Sequence, residues 1–289
     1  MSNIMKDVLY AVKRVLPAYW PGRAKYRVRF SRPKVVYILA MPRTGSTLAK
    51  RYLGDHNALL IAPNQTYRHS WRMAVKSGSE CIVIDKRTNN LDREKLKRIY
   101  VDYGNQVWFA GVIRDPRDQL VSLMETDRHE KVPRTEEFWS YWLEKCQLLF
   151  DFAKECADRG GNISLIRYED MATNPNGVKY DFLRWLGIEA RAGEVSSEYS
   201  NIVDEIATCQ DNSEDWKTHR NRKVHKNSIG RWRRVRNPVA MRVITHYRKS
   251  TRVAALMERL GYEEDVKPVA RDFEGMTFLG PYDGDSADS

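Results

Sequence analysis

Arg43, Thr44, Gly45, Ser46 and Thr47 are residue types suited to holding an anion, and they are consecutive. They lie in Met41-Pro42-Arg43-Thr44-Gly45-Ser46-Thr47-Leu48, after an apolar β-type run over 35–40 and before a helical stretch over 48–53. Strand, short Gly/Ser/Thr loop and helix together hold phosphate in α/β proteins. Backbone N–H groups and the positive end of the helix dipole point at the anion. The loop departs from Gly-x-x-x-x-Gly-Lys-Ser/Thr, the pattern that grips a nucleoside triphosphate. Ala40 stands at the first glycine of that pattern and Ser46 at its lysine. The cation lies two residues before the glycine instead, as Arg43. The loop therefore predicts a phosphate ligand other than the triphosphate of ATP or GTP. Two further cations follow apolar runs, Lys86 after 81–84 and Arg114 after 106–113. Ser122 lies eight residues beyond Arg114, about two helical turns along. Alone, that pair reads as a surface arginine and a helix serine. Beside the Arg43 loop it reads as a second phosphate contact, with the guanidinium as a planar fork.

The elements that must position these residues alternate along the chain. After the loop and its helix comes an irregular stretch, 64–71, then a short buried strand over 81–84 ending in Asp85-Lys86-Arg87. A helix is expected over 91–100 and a strand over 106–113. Asp115 and Pro116 supply a cap and a first-turn proline for the next helix. A long aromatic-rich helix over 135–156 and a strand over 162–167 follow. Asn174-Pro175 opens a helix that ends before Gly187, and Asn237-Pro238 opens one that stops at Gly261. This order predicts an α/β protein: a P-loop-like parallel sheet with helices on both faces. Ligands of such sheets bind at the carboxyl ends of the strands, where Arg43, Lys86 and Arg114 would gather. The expected organisation is a basic amphipathic segment over 1–33, one α/β domain over 34–266, and a Gly/Asp/Ser-rich tail over 267–289 with a loosely held end.

Composition narrows the class. Of 289 residues, 42% are hydrophobic and 30% charged, as in a folded soluble protein. The formal charge of +11 suits anionic ligands. Cys81, Cys146, Cys156 and Cys209 show neither Cys-x-x-Cys nor metal-ligand spacing, which predicts reduced thiols and no structural zinc. The chain lacks an apolar run of about 18 residues and the apolar core of a signal peptide, so a cytoplasmic setting is expected. Ile4, Val8, Leu9, Val12, Val15, Leu16 and Tyr19 alternate with Lys6, Lys13 and Arg14. That pattern suits either peripheral membrane contact through residues 1–20 or a helix packed on its own domain or on a partner. Phe138-Trp139-Ser140-Tyr141-Trp142 offers aromatic surface for a sugar or an aromatic alcohol, or core.

With these residues in view, the chain resembles the sulfotransferases that use 3′-phosphoadenosine 5′-phosphosulfate (PAPS). Pro42 to Thr47 resembles their Pro-Lys/Arg-x-Gly-Ser/Thr-Thr loop, and Arg114 with Ser122 their Arg-(seven residues)-Ser element. Tyr168-Glu169-Asp170 is similar to a turn after a later strand, and Ile229-Gly230-Arg231-Trp232 to a late segment that closes over the nucleotide. The loop looks closest to protein-tyrosine and bacterial carbohydrate sulfotransferases. The resemblance implies a sulfotransferase fold and PAPS as donor, with no metal. It implies that Arg43, Thr44, Gly45, Ser46 and Thr47 hold the 5′-phosphosulfate and that Arg114 and Ser122 hold the 3′-phosphate. Tyr168, Gly230, Arg231 and Trp232 would complete the nucleotide site, and Lys86 would stand near the sulfuryl group. The acceptor would offer a hydroxyl or an amine, on a carbohydrate, a glycolipid or an aromatic alcohol.

The resemblance does not supply a general base. Asn64 and Gln65 stand where several relatives carry a glutamate, and Thr88 where the cytosolic branch carries a histidine. His69, four residues beyond Gln65, is the first candidate, because histidine as a residue type suits proton transfer near neutral pH. Asp85 and His56 follow it, as a salt-bridge carboxylate and a turn residue. Three other functions stay open on sequence alone: a P-loop kinase or NTPase, a catalytically silent nucleotide-binding protein, and a nucleic-acid-binding protein using the basic run over 231–236. The missing lysine at Ser46 disfavours the first, and the position of the basic run disfavours the last.

Overall fold

Six consecutive apolar residues, Val35–Ala40, make strand β1 at the centre of the sheet. The structure is a computed structural model. It describes residues 33–62, 67–76, 81–87, 91–125, 132–189, 226–263, 272–273 and 276–279, which belong to one compact unit, Pro33–Ser289. The amphipathic segment at 1–20 lies outside the described residues, as do Asn64, Gln65, Thr88 and Cys209.

The strands are β1 Val35–Ala40, β2 Leu59–Ile61, β3 Ile82–Arg87, β4 Val107–Ile113, β5 Ile163–Arg167, β6 Asp272–Phe273 and β7 Met276–Phe278. Their order is β2-β3-β1-β4-β5-β7-β6. All neighbours are parallel except β6 and β7. The helices among the described residues are α1 Ser46–Gly54, α2 Tyr67–Lys76, α3 Arg93–Tyr103, α4 Pro116–Met124, α5 Phe138–Asp158, α6 Tyr168–Thr173, α7 Pro175–Trp185, α8 Pro238–Thr245 and α9 Thr251–Arg259. Helices cover both faces, because the side chains of a strand alternate between them. Val35, Tyr37 and Leu39 join one core with Phe109, Phe138 and Trp142. Val36, Ile38 and Ala40 join the other with Tyr52, Phe182 and Leu183.

Strand β3 ends in Asp85-Lys86-Arg87, as expected. Three other expectations are corrected. The stretch 64–71 is not irregular where it is described: α2 begins at Tyr67, and its Trp71 stacks on Tyr103 at 4.4 Å. The helix expected from 238 to 261 is broken, because Ser250 adopts extended backbone and caps α9 by accepting from Val253 N. Residues beyond 266 add to the sheet: β7 pairs with β5, matching Ser164 with Thr277 and Leu165 with Phe278. The aromatic run on α5 is core, with Phe138, Trp139 and Trp142 all buried, so it presents no broad aromatic surface to an acceptor.

Candidate active site

The chain leaves β1 toward β3 on one side and leaves β4 toward β5 on the other. The crevice between β1 and β4 is therefore the topological switch point, where sheets of this kind bind ligands. Arg43 follows β1 and Arg114 follows β4, so both stand at it. Lys86 is the penultimate residue of β3, the other neighbour of β1.

The loop after β1 is held in a demanding shape. Arg43 has φ 68°, the only positive φ among the described non-glycine residues, and Gly45 has φ 90°. Buried Thr44 turns its hydroxyl inward to donate to Met41 O at 2.9 Å. Gln119 Nε2 donates to Pro42 O at 2.7 Å. Gly45 precedes α1 and brings no side-chain cap, so the first amides of α1 are left for a ligand to satisfy. A Cβ on Gly45 would meet Tyr168 Cδ2 at 2.4 Å, so glycine is required for space as well as for φ.

The expected cations converge here. Arg43 Nε donates to Ser122 Oγ at 3.0 Å. Lys86 Nζ donates to Thr47 Oγ1. Arg114 donates to Arg43 O at 3.1 Å through one terminal nitrogen and to Ser228 O through the other. Its guanidinium lies 4.5 Å from the centre of the Tyr168 ring. Tyr168 is thereby packed between Gly45 and Arg114 and acts as a spacer between the loop after β1 and the Arg114 side chain.

Ser46 is buried at the start of α1. Gly230 has φ 66° and opens the turn Arg231–Arg234. Asp118 on α4 accepts from Gly230 N at 2.7 Å and from Trp232 N at 3.0 Å. Arg117 lies 4.2 Å from the Trp232 ring centre, and Arg231 pairs with Glu125. One stretch, 114–125, thus holds the whole 228–232 segment. His69 falls in the first turns of α2, and its side chain lies outside the described residues. Its neighbour Ser70 donates to buried Asp85, which also accepts from Lys86 N at 2.7 Å. Asp85 therefore fixes α2 against the strand that carries Lys86. His56 Nδ1 accepts from Ala58 N at 3.2 Å, the turn role expected of it.

The roles of two further residues escaped the reading of the sequence. Asp118 was visible in Arg114-Asp115-Pro116-Arg117-Asp118, but its partners lie more than a hundred residues away. Glu169 is half-buried with its carboxylate oxygen Oε2 enclosed, and Oε1 accepts from Asp115 N at 2.9 Å. Burial, reinforced by Asp115, pushes its pKa up to about 7, against the pull of Arg114. A carboxylate so enclosed supports the Arg114 turn from beneath.

The residues fit an anionic, phosphate-bearing ligand: cations from three strand ends, uncapped helix amides, and a buried Arg114 Nε that meets no hydrogen-bond partner in the structure. Among the described residues, no group of three or more His, Cys, Asp or Glu side chains is placed to hold a metal.

Comparison with known proteins gives a consistent answer. The sulfotransferase domain profile matches residues 110–260, more than half of the chain. That span includes Arg114, Ser122, Tyr168 and Gly230 but not the loop after β1. The fold is similar to that of the sulfotransferase domain from the curacin biosynthetic pathway, with TM-score 0.58 and 15% identity over 81% of this chain and 99% of that one. It is also similar to the sulfotransferase domain of the Synechococcus PCC 7002 olefin synthase, with TM-score 0.57 and 16% identity over 76% and 96%. No curated protein sequence matches the chain.

Proposed function

Because the chain belongs to the sulfotransferase domain family, we propose that it moves a sulfuryl group from PAPS to a hydroxyl or amine of an acceptor. The observation that carries this reading is the meeting of Arg43, Lys86 and Arg114 at the β1/β4 switch point. When bound, the nucleotide supplies an activated sulfuryl group whose bond to the 5′-phosphate oxygen breaks on transfer.

The protein's part is positioning and charge stabilisation, as in phosphoryl transfer. The amides of residues 44–47 and the hydroxyls of Ser46 and Thr47 hold the 5′-phosphate end. Arg43 stabilises negative charge on the leaving oxygen, and its bond to Ser122 keeps the guanidinium aimed. Lys86, steadied by Thr47, faces the same region from β3. Arg114 and Ser122 hold the 3′-phosphate. Tyr168 and the Gly230-Arg231-Trp232 segment frame the nucleoside.

His69 is the residue assigned to take the acceptor proton, since α2 is fixed beside Lys86 through Ser70 and Asp85. A pH–rate profile unchanged in His69→Ala removes it from that role. The reaction is assigned to the cytoplasm, with residues 1–20 as a candidate membrane contact. Flotation with liposomes should separate the full chain from one that starts near Arg23, and equal flotation removes the contact.

Thermal shift tests the central claim. 3′-Phosphoadenosine 5′-phosphate should raise the melting temperature and ATP with magnesium should not. Stabilisation by ATP–magnesium alone would replace the reading with a kinase or NTPase.

A further inference from the structure

The net charge of +11 is concentrated in one place. Residues 226–252 hold nine of the 49 Lys and Arg and none of the 38 Asp and Glu, leaving 40 cations against 38 carboxylates in the rest. This stretch is described throughout, from the turn Lys226–Ser228 through α8 to the start of α9. Arg234, Arg236, Arg242, Arg248 and Lys249 are exposed. Glu125 pairs with Arg231, and Glu136 with Arg242. Arg234 and Arg236 donate instead to the carbonyl oxygens of Asn227 and Arg233, which leaves their charge available to a ligand. The stretch is also fixed at the candidate active site. Ser228 O accepts from Arg114, and Asp118 accepts from Gly230 and Trp232.

We propose that the 226–252 surface binds an acidic polysaccharide and presents it to the Arg43 loop as the sulfuryl acceptor, which rests on the sulfotransferase reading above. A single strand of nucleic acid is gripped by stacking bases on open aromatic faces. Here the Trp232 ring already carries Arg117 at 4.2 Å and Arg233 at 5.1 Å, and Tyr247 is buried. A membrane surface calls for apolar side chains beside the cations. Among the described residues of this stretch, Val239 is the only exposed large hydrophobic. A chain of uronate or sulfated sugars needs neither feature. It meets guanidinium groups through its anions, and each sugar carries hydroxyls open to transfer.

The test uses the full chain with four probes: labelled polygalacturonate, neutral dextran, duplex DNA and phosphatidylglycerol vesicles. Polygalacturonate should bind at least ~10-fold more tightly than dextran and weaken as salt rises, as electrostatic attraction does. The triple variant Arg234→Glu, Arg236→Glu, Lys249→Glu should lose ~10-fold or more of that affinity, with unchanged affinity for 3′-phosphoadenosine 5′-phosphate. The single variant Arg236→Gln should shift it in the same direction, should the triple variant fail to fold. Labelled sulfate from PAPS should appear on the bound polysaccharide. Unchanged polysaccharide affinity in the folded variants, tighter binding of DNA or vesicles, or no label on bound polysaccharide each overturns the proposal. Loss of nucleotide binding in the unmutated chain defeats the sulfotransferase reading instead, so calorimetry with 3′-phosphoadenosine 5′-phosphate tells the two failures apart.

Discussion

At the scale of single residues, Arg43 combines a strained backbone with the central charge of the site. A left-handed conformation costs a non-glycine residue about 1–2 kcal/mol, and the chain retains it where the guanidinium meets Ser122. Arg43→Ala should relieve that side chain of its role without disturbing the core. Turnover should fall at least ~100-fold, the scale of losing one strong electrostatic stabiliser. Near-normal kcat in a folded variant would take Arg43 off the catalytic list. Glu169 makes a different test. Its pKa lies at about 7 in the folded protein against a usual 4.5. The protonated acid is therefore favoured by folding. Its contribution is fully present below pH ~4.5 and is lost as pH rises through 7, amounting to about 3 kcal/mol at most. Glu169→Gln keeps an acceptor for Asp115 N and removes the charge. It should melt higher than the parent at pH 8, with the difference shrinking by pH 5. A difference independent of pH would contradict this. Arg43, Lys86 and Arg114 were legible from sequence because each follows an apolar run. Asp118 and Glu169 were not, because what matters in them is the partner that folding brings.

At the scale of elements, α4 organises the site. It carries Ser122 toward the loop and Asp118 toward the late segment. Burial raises the pKa of Asp118, and the amides of Trp232 and Gly230 oppose the shift. Asp118→Asn leaves one oxygen for two amide donors and sets its own NH2 against the second. The 228–232 segment should loosen, raising KM for the nucleotide about 10-fold while kcat changes little, since one bond to a charged acceptor is worth about 1.5–3 kcal/mol. Equal losses in kcat would place Asp118 in the chemistry rather than in positioning. Strand β4 was legible as an apolar run, and the Asp115 cap and proline start of α4 were legible because capping is local chemistry. The same holds for Asn174 and α7. The break between α8 and α9 was not, because Ser250 competes as a cap within a stretch of helical composition.

At the scale of the whole molecule, the parallel sheet with helices on both faces follows from the alternation of short apolar strands and helices along the chain, so the fold class was legible in the sequence. The sheet's width was not. A two-residue and a three-residue strand near the C-terminal end carry too little pattern to stand out from a Gly/Asp-rich region. That modest extension has a consequence for solubility. Strand β5 is paired with β4 on one side and with β7 on the other. A chain ended at residue 266 would expose the backbone donors and acceptors of β5 along a buried apolar strand, a template for joining another molecule. Such a chain should scatter light on concentration while the full chain stays clear, and a clear solution of the shortened chain would refute this. During synthesis the same bare margin persists until the last strands emerge, so the final residues of the sheet guard against self-association as well as completing the fold.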